Sequence, residues 1–370
     1  MHIRQDRRLR SLVNPGRRLS GQSRPTFALA RFVILGALAM IMAAPLSAAD
    51  PIPETPGWGG FVIAGVGFAS LRSNTIAGNR TFDIGRSRFD SLDARPSTDD
   101  SFLPVITGEL NYSFGGGWQA FFGTALEDAV TLDGVTQLGL RKDLGGNGVF
   151  QTGLLFSGIP TKVWEDPYAE GVDRKSTDRE STGVRLQWSR VMGSGLDVTF
   201  SYRDVSIDTE RSGQGLLSVP CDVACQNLLR RDGDQYSLDM SYLFRLGEGG
   251  RQQLRPRIRY TIDDRDGDAV AGDSIWLQLT HGYFTHGYWV ISNIAYGKAN
   301  RDARSPIFGV KTDPDRYVLD TTVFVRLNAL GPGWQGVGSL SWGKEDSSVN
   351  FYDSDLILAS VGLLYRFGAR

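Results

Sequence analysis

The side chains in this chain best placed for chemistry are arginines and carboxylates spaced two residues apart. Arg255, Arg257 and Arg259 alternate with Pro256, Ile258 and Tyr260, so in an extended strand the three guanidinium groups share one face. Three like charges in a row repel unless carboxylates pair them or water reaches them. Arg185, Arg203, Arg245 and Arg326 occupy the polar face of other alternating segments, as do Glu109, Glu127, Asp239 and Asp320. Clustered guanidinium groups favour anions, including carboxylated and phosphorylated solutes. Arginine–carboxylate pairs can equally serve only to brace a wall, and the spacing leaves both readings open.

Other chemical signals are sparse. Cys221 and Cys225 stand in a long polar stretch, and a cysteine pair in an exported chain favours a disulfide. A Cys-x3-Cys pair supplies two ligands, too few for a structural zinc site. Beyond residue 49 the histidines are His281 and His286, with no Gly-x-Ser-x-Gly elbow and no paired-histidine helix motif. Asp263-Asp264-Arg265-Asp266-Gly267-Asp268 gathers carboxylates but lacks a calcium-binding loop with its terminal glutamate, and reads as a solvated turn. No cofactor or metal is implied and no enzymatic activity is expected, although the many acids leave a sugar-cleaving carboxylate pair open.

Holding these groups on common faces requires strands. From Trp58 onward the chain repeats a unit of about ten alternating residues followed by a turn. Tyr317, Leu319, Thr321, Val323 and Val325 oppose Val318, Asp320, Thr322, Phe324 and Arg326 in the clearest case. The alternation predicts fourteen strands, at residues 60–72, 102–114, 118–127, 134–141, 149–157, 182–190, 196–203, 236–246, 254–263, 274–284, 288–298, 317–328, 334–344 and 355–367. The connections alternate between tight turns, such as Gly115-Gly116-Gly117, and long polar loops such as residues 206–233; the short link at 128–133 is the exception. Tight turns on one rim and long loops on the other, with aromatics at the ends of the apolar faces, predict an all-β closed antiparallel transmembrane barrel of about 14 strands, within a range of 12–16. A soluble β-sandwich or propeller also has many short strands, but lacks the aromatic strand ends.

The first 49 residues have a different character. A leader with Arg7, Arg8, Arg10, Arg17, Arg18, Arg24 and Arg31 precedes an apolar run at 32–46 and the small residues Ser47-Ala48-Ala49. That pattern reads as a signal peptide at 1–49, cleaved to release a single barrel domain at 50–370. The apolar run is shorter than the ~20 residues a spanning helix needs. The whole chain carries 40 basic and 41 acidic residues, and the leader holds eight of the former and only Asp6 of the latter, so the remainder has a net charge of −8. Such an acidic body argues against nucleic acid as a partner.

In the last segment Ile357, Ala359, Val361, Leu363, Tyr365 and Phe367 alternate toward a terminal aromatic, with Gly368-Ala369-Arg370 trailing it. This resembles Gram-negative outer-membrane barrels, whose final strand is an insertion signal, here Tyr365 and Phe367. The class pattern ends on the aromatic, so the trailing residues are a departure. Pro51-Ile52-Pro53-Glu54, Gly57-Trp58-Gly59-Gly60 and Ser73-Asn74-Thr75-Ile76-Ala77-Gly78-Asn79 resemble an uncharacterised barrel family of such bacteria, a likeness that brings no activity with it. The resemblance implies outer-membrane lipid and the insertion machinery as partners. The expected function is a channel for small hydrophilic solutes, with anions favoured by the arginines. Two alternatives stay open: a closed barrel whose long outer loops bind a partner or surface polysaccharide, and a lipid or peptide hydrolase.

Overall fold

The computed structural model describes residues 52–124, 134–218 and 220–368. The leader at 1–49, Glu127 and the 128–133 link therefore lie outside the described residues. Fourteen antiparallel strands form one closed ring. They are β1 Gly57–Arg72, β2 Thr98–Gly115, β3 Trp118–Thr124, β4 Gly134–Asp143, β5 Val149–Ile159, β6 Ser176–Ser189 and β7 Leu196–Ile207. The ring continues with β8 Gly233–Tyr242, resumed after Leu243 as Phe244–Leu246, then β9 Gln252–Arg265, β10 Gly272–Phe284 and β11 Tyr288–Arg301. It ends with β12 Asp315–Arg326, β13 Trp334–Asp346 and β14 Ser354–Gly368. Closure is made by β1 against β14, in register from Gly59–Gly368 to Arg72–Asp355. Among the described residues no sheet edge is left open, which removes the unpaired backbone groups that lipid could not satisfy.

Several strands run past their predicted ends at the long-loop rim. β6 begins at Ser176 and not at residue 182, and β2 at Thr98 and not at 102. Beyond the apolar band both strand faces meet polar surroundings, so hydropathy stops alternating while the hydrogen-bond ladder continues. In the other direction β12 stops at Arg326, because Asn328–Leu330 forms a 3-10 turn. The long loops contain structure that alternation did not reveal. Ile76–Asn79 pairs with Thr161–Trp164, and a short helix, α1, spans Val223–Leu228. Its start is set by Asp222, whose side chain accepts from the Cys225 amide.

The outer face is a continuous apolar band. Val66, Leu154, Leu238, Leu277, Ile294, Leu319, Leu340 and Val361 all point outward and are exposed. Aromatic pairs bound this band on both rims. Trp58–Tyr112, Tyr242–Phe244, Tyr283–Tyr288 and Trp334–Tyr365 lie toward the short turns. Phe68–Phe102, Tyr202–Tyr236 and Tyr296–Tyr317 lie toward the long loops. An exposed apolar belt this extensive is unfavourable in water and stable in a bilayer, with the amphipathic rings at its two interfaces. Tyr365 and Phe367 belong to the short-turn girdle, stacked at 6.2 Å on the outer face of β14.

Candidate functional site

Side chains alternate about the strand, so pairing register decides what the interior holds. β9 turns Arg255, Arg257 and Arg259 inward, opposite outward Ile258 and Tyr260. On neighbouring β8, Asp239 lies directly across from Arg259 and one step from Arg257. Its two carboxylate oxygens are divided between them: Arg257 Nε donates to Oδ1 at 2.5 Å and Arg259 Nε to Oδ2 at 2.7 Å. Arg255 reaches Asp197 of β7, with Nη2 3.7 Å from Oδ2. The three arginines thus form a ladder held apart by acids from two other strands. Arg185 also faces inward and donates to Ser201 Oγ at 3.0 Å, while Arg203 is buried on the same side of β7.

A second charged node was only half legible. Glu109 of β2 accepts two bonds from Arg141 of β4, Nη1 to Oε1 at 2.7 Å and Nη2 to Oε2 at 2.6 Å. The Arg141 guanidinium also lies 3.9 Å over the Phe121 ring and donates to Gln151. Arg141 went unmarked because it closes its predicted strand; its inward parity with Gln137 and Gly139 is the signal that could have found it. Asp320 stands elsewhere, on β12, where it accepts from Asn293 at 2.7 Å and Ser341 at 2.9 Å.

Arg245 and Arg326 stand apart from the ladder. Both keep inward parity, paired across from Gln253 and Gln335, but both sit in the last turns of their strands and are exposed at the short-turn rim. They line the mouth and not the wall, because alternation gives a residue's face and says nothing of its height. His281 faces outward on β10, with His286 in the adjoining turn, so neither reaches the interior. Among the described residues no group of three or more His, Cys, Asp or Glu could hold a metal ion.

The interior is divided. β1, β2 and β11–β14 turn Ile63, Leu103, Val105, Ile291, Phe324 and Leu358 inward as one packed apolar cluster, on strands that also carry Glu109 and Asp320. Trp289 stacks on Phe324 at 5.2 Å. These residues are flanked by apolar neighbours on the outer face, so alternation alone gave them no contrast. Gly297 has a packing reason: a Cβ there would come within 2.3 Å of the inward ring of Trp276, its partner across β10 and β11.

The long loops build a core of their own. Leu92, Tyr168, Leu229, Ala269 and Phe351 are buried together, with Phe308 packed against them. They come from residues 73–97, 160–175, 208–232, 266–271, 302–314 and 347–353, loops spaced around the whole ring. Loops rooted on all sides can share one core only by crossing the mouth, so they form a cap. Arg174 is its central tie, donating to the carbonyls of Asn74, Arg86, Ser87 and Pro167. Burial pushes this guanidinium down to about 10, still far above neutral pH, so it remains charged. Burial would raise the Glu210 carboxyl, but hydrogen bonds and charge from Arg231 outweigh it and hold it below the usual range. Tyr168 and Tyr352 share a 2.8 Å hydroxyl bond, and burial raises both phenols.

Cys221 and Cys225 are joined by a disulfide at the edge of this cap. In envelope preparations a thiol reagent is expected to label neither cysteine before reduction and both after it. Because the bond closes a very short loop, its reduction should leave the barrel's resistance to heat and detergent unchanged. Labelling of untreated protein would contradict the pairing.

Comparison with solved structures finds barrels of low similarity. A Pseudomonas aeruginosa FadL homologue is 11% identical, with 91% of this chain and 96% of that one covered and a TM-score of 0.44. The deltaS2 mutant of the TodX monoaromatic hydrocarbon channel is 9% identical, covering 87% and 93%, at 0.47. An anion-selective porin from Comamonas acidovorans is 11% identical, covering 85% and 100%, at 0.37. Among curated proteins none matches in sequence. Residues 57–366 match the family described as "Protein of unknown function (DUF2860)", and the chain belongs to that family.

Proposed function

We propose that this barrel is an outer-membrane channel for small hydrophilic solutes and that it prefers anions. The observation carrying this reading is the inward ladder of Arg255, Arg257 and Arg259, each with about a fifth of its side chain exposed. Guanidinium groups in a narrow, low-dielectric passage raise the local concentration of anions. The long-loop rim faces outward from the cell and the short turns face the periplasm, the arrangement of bacterial barrels. A cleaved leader at 1–49, and Tyr365 with Phe367 as the insertion signal, complete the export route. The reading is of a channel and assigns no catalytic residue.

The test is the reversal potential of the full chain in a planar bilayer under a KCl gradient. Wild type should prefer chloride, and Arg255, Arg257 and Arg259 changed together to Gln should reduce that preference. Screening should weaken it too, since the Debye length is only ~10 Å at 0.1 M salt. An unchanged reversal potential in a conducting triple variant would show that the ladder only braces the wall. The cap favours one other reading, a closed barrel whose loops form a binding surface. Correctly folded protein that carries no current would support it.

A further inference from the structure

The arginine ladder and the apolar cluster of the interior approach each other at Leu243. Leu243 lies between the register pairs Ser241–Arg257 and Phe244–Leu254, which puts it opposite Arg255. Yet Leu243 packs against the buried apolar cluster of the far wall, as do Phe61, Phe284 and Trp289. These four are half-buried and on inward faces, the side to which the arginine ladder also turns.

We propose that this junction is a binding site for small amphipathic carboxylates, aromatic or short-chain aliphatic acids. The carboxylate lies on the Arg255–Arg257–Arg259 ladder, and the apolar body lies against Phe61, Leu243 and Trp289. Passage of such acids rests on the channel reading; their binding does not. Three chemical classes separate on this wall. A sugar or sugar phosphate would lose water from its hydroxyls against apolar residues that return no hydrogen bond. A neutral hydrocarbon would desolvate the arginines and give them nothing in exchange. An acid with an apolar body satisfies both halves, through charge-assisted hydrogen bonds at one end and burial at the other.

The experiment uses the full chain in planar bilayers, with phenylacetate, acetate and 2-phenylethanol as probes. Phenylacetate should half-block the chloride current at a concentration at least tenfold below acetate, and 2-phenylethanol should not block. Trp289→Gln should bring phenylacetate close to acetate, while Trp289→Phe, which keeps the ring, should retain the difference. Arg257→Gln should weaken both acids. Heat-dependent gel migration establishes that each variant is folded. Equal block by acetate and phenylacetate overturns the site and leaves the channel standing. If no current flows, equilibrium dialysis of labelled phenylacetate against proteoliposomes and empty liposomes decides. Saturable binding that Trp289→Gln abolishes supports the site without a channel, and its absence overturns the site.

Discussion

Replacing Asp239 with Asn is expected to destabilise the barrel more than any other single change in its wall. One carboxylate, 5% exposed, holds two arginines through separate oxygens. Removing one partner of a buried pair costs about 3–5 kcal/mol, since the remaining charge keeps its desolvation penalty. Here two cations lose that partner, but each guanidinium side chain is 17–20% exposed and has other interactions. The lower end, about 3 kcal/mol, is the expected loss. Asn preserves the shape, so no cavity is created and the effect is electrostatic. The unfolding midpoint in urea, followed by tryptophan fluorescence in lipid vesicles, measures it. The same variant should gain anion preference, because it removes a negative charge from the ladder. A loss below about 1 kcal/mol, the value of a surface pair, would show that Asp239 does not hold the ladder.

Arg174→Ala should leave the barrel intact and open the cap. The guanidinium stacks 4.8 Å from the Phe89 ring and 4.5 Å from Trp164, and its four carbonyl acceptors belong to two loops. Each buried acceptor left without a donor costs about 1–3 kcal/mol, though water entering the opened cap recovers part of it. A net loss of about 3 kcal/mol, confined to the loops, would raise the open population of the cap roughly a hundredfold. Limited proteolysis should then cut within residues 73–97 and 160–175, while heat-dependent gel migration stays as in wild type. Arg174→Lys should resemble Ala, since an ammonium cannot reproduce the planar fork between two rings. Identical cleavage in wild type and Arg174→Ala would mean that the apolar core alone holds the loops.

Much of the barrel was readable from period-two alternation. Tyr317 to Arg326 showed its faces directly, and the turn glycines Gly115, Gly116 and Gly117, all at positive φ, marked a hairpin that other residues resist. The inward direction of Arg255, Arg257 and Arg259 was equally legible. A slip of one residue would turn three guanidinium groups to lipid at ~2–4 kcal/mol each. Alternation failed where both faces are apolar, around Ile63 and Ile291, and where pairing outlasts the apolar band, as at Ser176. It could not see the cap, because Leu92, Leu229 and Phe351 belong to loops with no periodicity.

The sequence by itself determined a closed antiparallel barrel with arginines inside, because a strand in lipid must send its charges to the face away from the tails. Only the tertiary structure decided which acid holds which arginine, that Arg245 and Arg326 stand at the rim, and that six loops meet over the mouth. Facing is a local property, fixed by every second residue. Partnership, height and enclosure depend on register between strands and on loops far apart in the chain, which come together only when the ring closes.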